Sequence, residues 1–184
     1  MEEFKAKLIE ALKDEDVLRI LNKSIENSIM DKSNELDGNM LIEFKDELRI
    51  YELYKSIDED ELKVLKGIFK GNTLKEFLYC GIQYRNIEAL WDYTANKIMK
   101  KDYSNLNKLN AIIIFFINSY NLLFEEKVFI IDKVDIGEKF DCEKFNRSED
   151  SKPVGFINEI LLYGYKNIRQ DEIIRKSIVR VREK

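Results

Sequence analysis

From Thr73 onward the apolar residues recur at helical spacing as far as about residue 126, and then the period changes. Leu74, Phe77, Leu78, Ile82, Trp91, Thr94, Ala95 and Ile98 fall on one side of a helix predicted to run from Leu74 to about Lys101. Thr73, with Glu76 three residues on, supplies its capping box. Gly81 inside that helix costs about 1 kcal/mol relative to alanine and reads as a point of close helix packing. Asp102 or Ser104 is placed to cap a further helix from about Asn105 to Glu126. Leu109, Ile112, Ile113, Ile114, Phe115, Phe116, Ile117, Tyr120, Leu122, Leu123 and Phe124 cover most of its circumference. A helix apolar all round must be buried on several sides. Other helices of the same chain would cover it, or a second protomer would complete the bundle.

Upstream, Phe4, Leu8, Ala11, Leu12, Leu18, Leu21, Ile25 and Ile29 trace an apolar helical face over residues 2–30. Residues 31–39, with Asp37-Gly38-Asn39, read as a loop. Leu41, Phe44, Leu48 and Tyr51 repeat the helical pattern. Asp58 with Glu61 has the form of a second capping box, predicting a short helix to about Lys70 that Gly71 stops. Downstream, Val128–Ile131 is either a strand or the last turn of the preceding helix. Asp141–Pro153 is polar and breaker-rich, so it reads as a loop. The β-branched run Ile173–Val181 alternates as a strand does, after a connection over residues 166–171. The fold class is therefore α+β. It divides into a helical N-terminal region (1–72), a two-helix unit (73–127) and a small β domain (128–184).

Charge sharpens this division. Residues 1–70 carry 12 Lys/Arg against 18 Asp/Glu, whereas residues 164–184 carry 7 against 3. The basic end is either a solvated strand face or a docking surface for an acidic partner. The overall net charge of −4 argues against a general nucleic-acid binder, which needs a basic excess. Cys80 and Cys142 give neither a disulfide framework nor zinc spacing, and imply a reducing compartment. Cys80 reads as a small core residue. The longest apolar run, Ala111–Ile117, is far short of the roughly 20 residues that span a bilayer, so no membrane is expected. The sequence has no histidine, which removes the commonest general base and most zinc sites. No phosphate loop or metal-ligand spacing replaces it, so neither an enzyme nor a cofactor or metal is expected.

One ordered set of residues points further. Gly137, Phe140 and Asp141 form Gly-x-x-Phe-Asp. After a variable loop come Gly155 and Leu161-Leu162-Tyr163-Gly164-Tyr165. Ile174, Arg175, Val179 and Val181 close the set as Ile-Arg-x-x-x-Val-x-Val. This order resembles the C-terminal β domain of the GrpE family, nucleotide exchange factors of DnaK-type heat-shock chaperones. The helices over 74–101 and 105–126 look like the family's bundle helices, which pair with those of a second protomer.

The resemblance implies a co-chaperone whose β domain binds the chaperone's nucleotide-binding domain and favours its open cleft. It places candidate contacts at Leu161, Tyr163, Arg169, Arg175 and Val181. Of these, Leu161 and Val181 read equally as sheet core. Gly164 reads as a backbone requirement, Tyr165 as a packing residue with its hydroxyl in water, and Trp91 as bundle core. The family's hairpin arginine falls on Glu172 by distance from Arg175, with Arg169 as a replacement. Cys142 and Lys144-Phe145-Asn146 stand where the family has Pro and His. In place of the family's long coiled-coil helix, residues 1–70 hold shorter, interrupted helices. A reversed charge at Glu172 favours the alternative of an interaction module that docks on a chaperone-like partner without exchange.

Overall fold

The computed structural model describes residues 44–70 and 72–183. The apolar face over residues 2–30, the loop over 31–39, Leu41 and the stop at Gly71 lie outside the described residues. The chain divides at Lys45/Asp46, and the architecture below belongs to the unit that follows. Five helices precede two small sheets, an α+β arrangement: α1 (Lys45–Lys55), α2 (Glu59–Leu65), α3 (Leu74–Gly81), α4 (Tyr84–Met99) and α5 (Leu106–Asn121). The strands are β1 (Phe129–Ile131), β2 (Asn146–Arg147), β3 (Phe156–Leu162), β4 (Tyr165–Asn167), β5 (Glu172–Arg175) and β6 (Ile178–Arg182).

The capping box at the start of α3 is complete. Thr73 Oγ1 accepts from the Glu76 amide at 3.2 Å, and the Glu76 carboxylate accepts from the Thr73 amide at 3.1 Å. The Thr73 hydroxyl, followed by the Thr73 and Asn72 amides, holds the Glu76 carboxyl below its ordinary pKa.

The capping box read at Asp58 does not form. Asp58 is the N-cap of α2 without a side-chain capping bond, because Glu61 is drawn elsewhere. Its buried carboxylate meets Lys97 Nζ of α4 at 2.9 Å and accepts from Asn105 Nδ2 at 2.7 Å and from the Tyr93 hydroxyl at 3.1 Å. Lys97 also reaches Asp102 at 2.7 Å. Burial works to lower the Lys97 pKa, but the hydrogen bonds to Asp102 and Glu61 outweigh it and the pKa rises. The same Lys97 bond, followed by those from Ser104, holds Asp102 down at about 2. At its other end α2 stops at Leu65 rather than about Lys70, where the chain tightens into i→i+3 turns with the Gly67 amide on the Val64 carbonyl and the Ile68 amide on that of Leu65.

The single helix expected over 74–101 is two. Its apolar side stays in phase, but the carbonyls at the end of α3 are taken by side-chain amides. Asn86 Nδ2 donates to the Cys80 carbonyl at 2.8 Å and Gln83 Nε2 to that of Tyr79 at 3.1 Å. Gln83 is extended and begins α4. These amides satisfy orphan carbonyls that a continued helix would have bonded itself. Close packing at Gly81 holds: a Cβ there would lie 1.9 Å from the Phe116 ring.

The next helix starts from neither Asp102 nor Ser104. Asn105, at φ 56°, is its N-cap, and its side chain turns to Asp58 and Glu61. The helix also stops at Asn121 rather than Glu126. The Asn121 side chain takes the backbone N–H groups of Val128 and Phe129 at 3.0 and 2.9 Å and gives a bond to the Phe129 carbonyl at 2.8 Å. It thereby reverses the chain into β1, so Val128–Ile131 resolves as a strand.

The face of α5 carrying Leu109, Ile112, Ile113, Phe116 and Ile117 is at most 1 % exposed. Its cover comes from the same chain. Phe69 and Phe77 pack on Phe116 at 5.8 and 5.1 Å between ring centroids, and Tyr54 of α1 packs on both of those rings. A dimer through this face would require Phe69 and Phe77 to leave it. One apolar core runs from Tyr54 to Ile178, across residues 72 and 127. It includes Trp91, and Cys80 packs on its edge.

Each sheet has three strands, in the orders β1-β4-β5 and β2-β6-β3. They share one ribbon. β3 continues through Tyr163-Gly164 into β4, and β5 continues through Lys176-Ser177 into β6. The two crossings meet at Gly164, where a Cβ would stand 2.2 Å from the Arg175 carbonyl oxygen and 2.4 Å from the Ser177 nitrogen. The expectation that this glycine serves the backbone is met by that approach. Buried Ser177 Oγ accepts from the Gly164 amide at 2.8 Å and donates to Asp132 at 3.3 Å. Burial raises the Asp132 pKa, Ser177 opposing it. Gly155 holds φ +145°, and its α-carbon faces the Arg182 carbonyl with no room for a Cβ. Inside the loop over 141–153, β2 pairs in parallel with β6, a strand too short to show in the hydrophobic pattern.

Candidate partner-binding surface

Two buried asparagines on α5, three turns apart, seat the sheets on the helices. Asn121 holds β1 as described. Asn110 Nδ2 donates to the Leu161 carbonyl at 2.8 Å, and its Oδ1 accepts from the Tyr163 amide at 3.1 Å. Trp91 Nε1 donates to the Tyr163 carbonyl at 2.8 Å. Both backbone groups of Tyr163 are thus fixed by helical side chains, and its side chain is half-buried. Trp91 is core, as expected, and also a clamp.

The five predicted contact residues do not share one surface. Leu161 and Val181 are 4 and 1 % exposed, so of their two readings the structure selects sheet core. Leu161 packs in the main core, and Val181 packs with Phe145, Ile157 and Val179 in a second cluster. Arg175 is half-buried against α4, bonded to Asp92 at 3.1 Å and Glu88 at 3.4 Å, with its guanidinium over the Trp91 ring. Burial works against its charge, and Asp92 first among the carboxylates restores it, leaving the pKa raised.

Arg169 lies exposed at the hairpin tip. Its Nη2 donates to the Glu126 carbonyl at 2.8 Å and its guanidinium sits 5.3 Å from the Phe124 ring centre. The tip itself is shaped by Asn167, whose Oδ1 accepts from the Arg169 amide at 3.0 Å, and by Asp171 at φ 50°. Glu172 is exposed beside it. Tyr163 and Arg169 are therefore the reachable members of the predicted set, with Glu172, Leu123, Phe124 and Ile168 exposed as well. Tyr165 departs from expectation: it is fully buried, hydroxyl included, and burial raises its pKa.

No family model matches the sequence, and neither a curated protein nor a solved structure matches the chain. No helix among the described residues is long and apolar enough to cross a membrane.

The basic end of the chain is less basic than its count suggests. Arg175 is neutralised by α4. Arg180 bonds Glu159 and lies 3.2 Å from Asp150, stacked 4.8 Å from the Tyr103 ring. Two of the seven cations thus serve as internal ties, Arg175 between sheet and helix and Arg180 between β6, β3 and the neighbouring loops. The sequence pattern did not reveal Asn110, Asn121, Asp132 or Ser177 as positioning residues. For Asn110 a signal existed: it is a polar residue beside an otherwise unbroken apolar run.

Proposed function

We propose that the chain is a GrpE-like co-chaperone. It binds the nucleotide-binding domain of a DnaK-type chaperone through its C-terminal sheets and promotes nucleotide release by favouring the open cleft. The observation that carries this reading is the ordered set from Gly137 to Val181. Asp141 shapes its loop through the Glu143 and Phe145 amides. Gly155 and Gly164 sit at close backbone crossings, and Val179 and Val181 fill the second core cluster. Such a factor makes and breaks no bonds. It works by preferring one conformation of its partner, and the nucleotide loses the affinity that this preference costs.

A wedge of this kind must not yield when pressed. The ties from Asn110, Trp91 and Arg175 supply that stiffness. Tyr163 and Arg169 are its contacts, it acts in the cytoplasm, and a single chain suffices because Phe69 and Phe77 of the same chain cover α5.

The test is the release of a fluorescent ADP from the DnaK-type chaperone co-expressed with this chain. Micromolar protein is expected to accelerate release at least tenfold. An unchanged rate with demonstrated binding selects the second reading, a module that docks without exchange. The exposed Glu172, opposite in charge to the family's arginine, favours that second reading. Absence of binding overturns both.

A further inference from the structure

The outer face of the β1-β4-β5 sheet carries a cross-strand row, Ile130–Lys166–Ile173, set by the register Ile130↔Lys166↔Ile173. The inner face turns Phe129 and Tyr165 to the helices, where Phe129 stacks on Tyr84 at 5.1 Å. On the outer side, the row and the loop residues Lys144 and Phe145 enclose a cleft of about 530 Å³, with Ile131, Asp132, Lys133 and Asp171 completing its lining. Its floor is apolar, and Ile173 is 45 % exposed there. Its cations are Lys133, Lys144 and Lys166. Among the described residues none of the three forms an ion pair within 4.0 Å. The acids of the lining are Asp171 and Asp132, and Asp132 accepts from Ser177 while also lying within the field of Lys166, so three lysines face two carboxylates.

We propose that this cleft docks an acidic segment of a partner protein, one that presents carboxylates flanked by two apolar side chains. The row dictates that order. Two isoleucines stand on either side of one lysine, about 5 Å from it on each side because neighbouring strands are that far apart. A matching ligand offers an apolar group to each isoleucine and a carboxylate to Lys166, with Lys133 and Lys144 at the rim for further acids. Polynucleotide is the poorer fit, since it has no apolar side chains for Ile130 and Ile173 and the chain as a whole carries net charge −4. Rim lysines act mainly through charge, so binding weakens as salt rises. The surface stands on this geometry alone and does not depend on the chaperone reading.

The experiment is a titration of the full ¹⁵N-labelled chain with the tetrapeptide acetyl-Leu-Glu-Asp-Leu-amide. Parallel titrations use acetyl-Leu-Lys-Lys-Leu-amide, inorganic phosphate and a short oligothymidine. Amide shifts at Ile130, Lys166, Ile173 and Phe145 are expected with the acidic peptide only. The double variant Lys133→Glu/Lys144→Glu, at two exposed positions, is expected to weaken that binding about tenfold or more while the rest of the spectrum stays folded. Four results would overturn the proposal: equal shifts with the lysine peptide, the same shifts with phosphate alone, tighter binding of oligothymidine, or no shift at millimolar acidic peptide.

Discussion

Replacing Gly164 by alanine is expected to lower the melting temperature by roughly 8–16 °C, the equivalent of about 4 kcal/mol for a chain of this size. The new methyl group would meet the Arg175 carbonyl oxygen at 2.2 Å and the Ser177 nitrogen at 2.4 Å, both backbone atoms, and the Asp132 carboxylate at 2.7 Å. No rotamer change relieves a clash with backbone. The ribbon must open at its crossing, and the Gly164 amide then loses Ser177 Oγ while the Gly164 carbonyl loses the Asp132 amide. Those are buried groups, and leaving them unpaired adds about 1–3 kcal/mol each. A thermal melt followed by near-ultraviolet circular dichroism reads the change. A shift under 2 °C would mean that the two crossings are not in contact.

The second large effect lies among the helices. Lys97→Met should destabilise the fold by about 3 kcal/mol or more, because it leaves the Glu61 carboxylate buried without its cation. Glu61 is 8 % exposed and Lys97 7 %, so water does not replace the lost partner. Tyr93 and Asn105 still donate to Glu61, but neither carries charge. Removing both members, in Lys97→Met/Glu61→Leu, should recover most of the loss, since a packed apolar pair avoids the desolvation cost. Urea unfolding of the two single variants and the double gives the coupling directly. Additive losses would show that Glu61 and Lys97 do not act as a pair. The pair matters for architecture because Glu61 on α2 is what pins that helix to α4 and to Asn105 at the head of α5.

The places where sequence reading succeeded share a physical cause. Periodicity and the Thr73–Glu76 cap are local, and local rules located the helical stretch that α3 and α4 share, the start of α3, α5 and the switch to strands. It failed where a side chain chose a distant partner over a nearby one. Glu61 left its capping role for Lys97, 36 positions along. Asn86 and Gln83 took the carbonyls that would have continued α3. Asn121 ended α5 by bonding β1. The candidate surface divides in the same way. Leu161 and Val181 carry the motif because the core needs them, and Arg175 because α4 presents Glu88 and Asp92 to it. A motif of strand residues cannot by itself separate packing from contact. Tyr163 and Arg169 are the two motif residues whose side chains the fold leaves half-buried and exposed.

The most direct measurement of the exchange-factor reading is the affinity of this chain for the nucleotide-binding domain of the DnaK-type chaperone proposed as its partner, taken with and without saturating ADP by titration calorimetry. A factor that favours the open cleft must bind the nucleotide-free domain more tightly, by the same ratio in which it weakens ADP. The predicted result is at least a tenfold loss of affinity when ADP is bound. Equal affinity in the two states would contradict it.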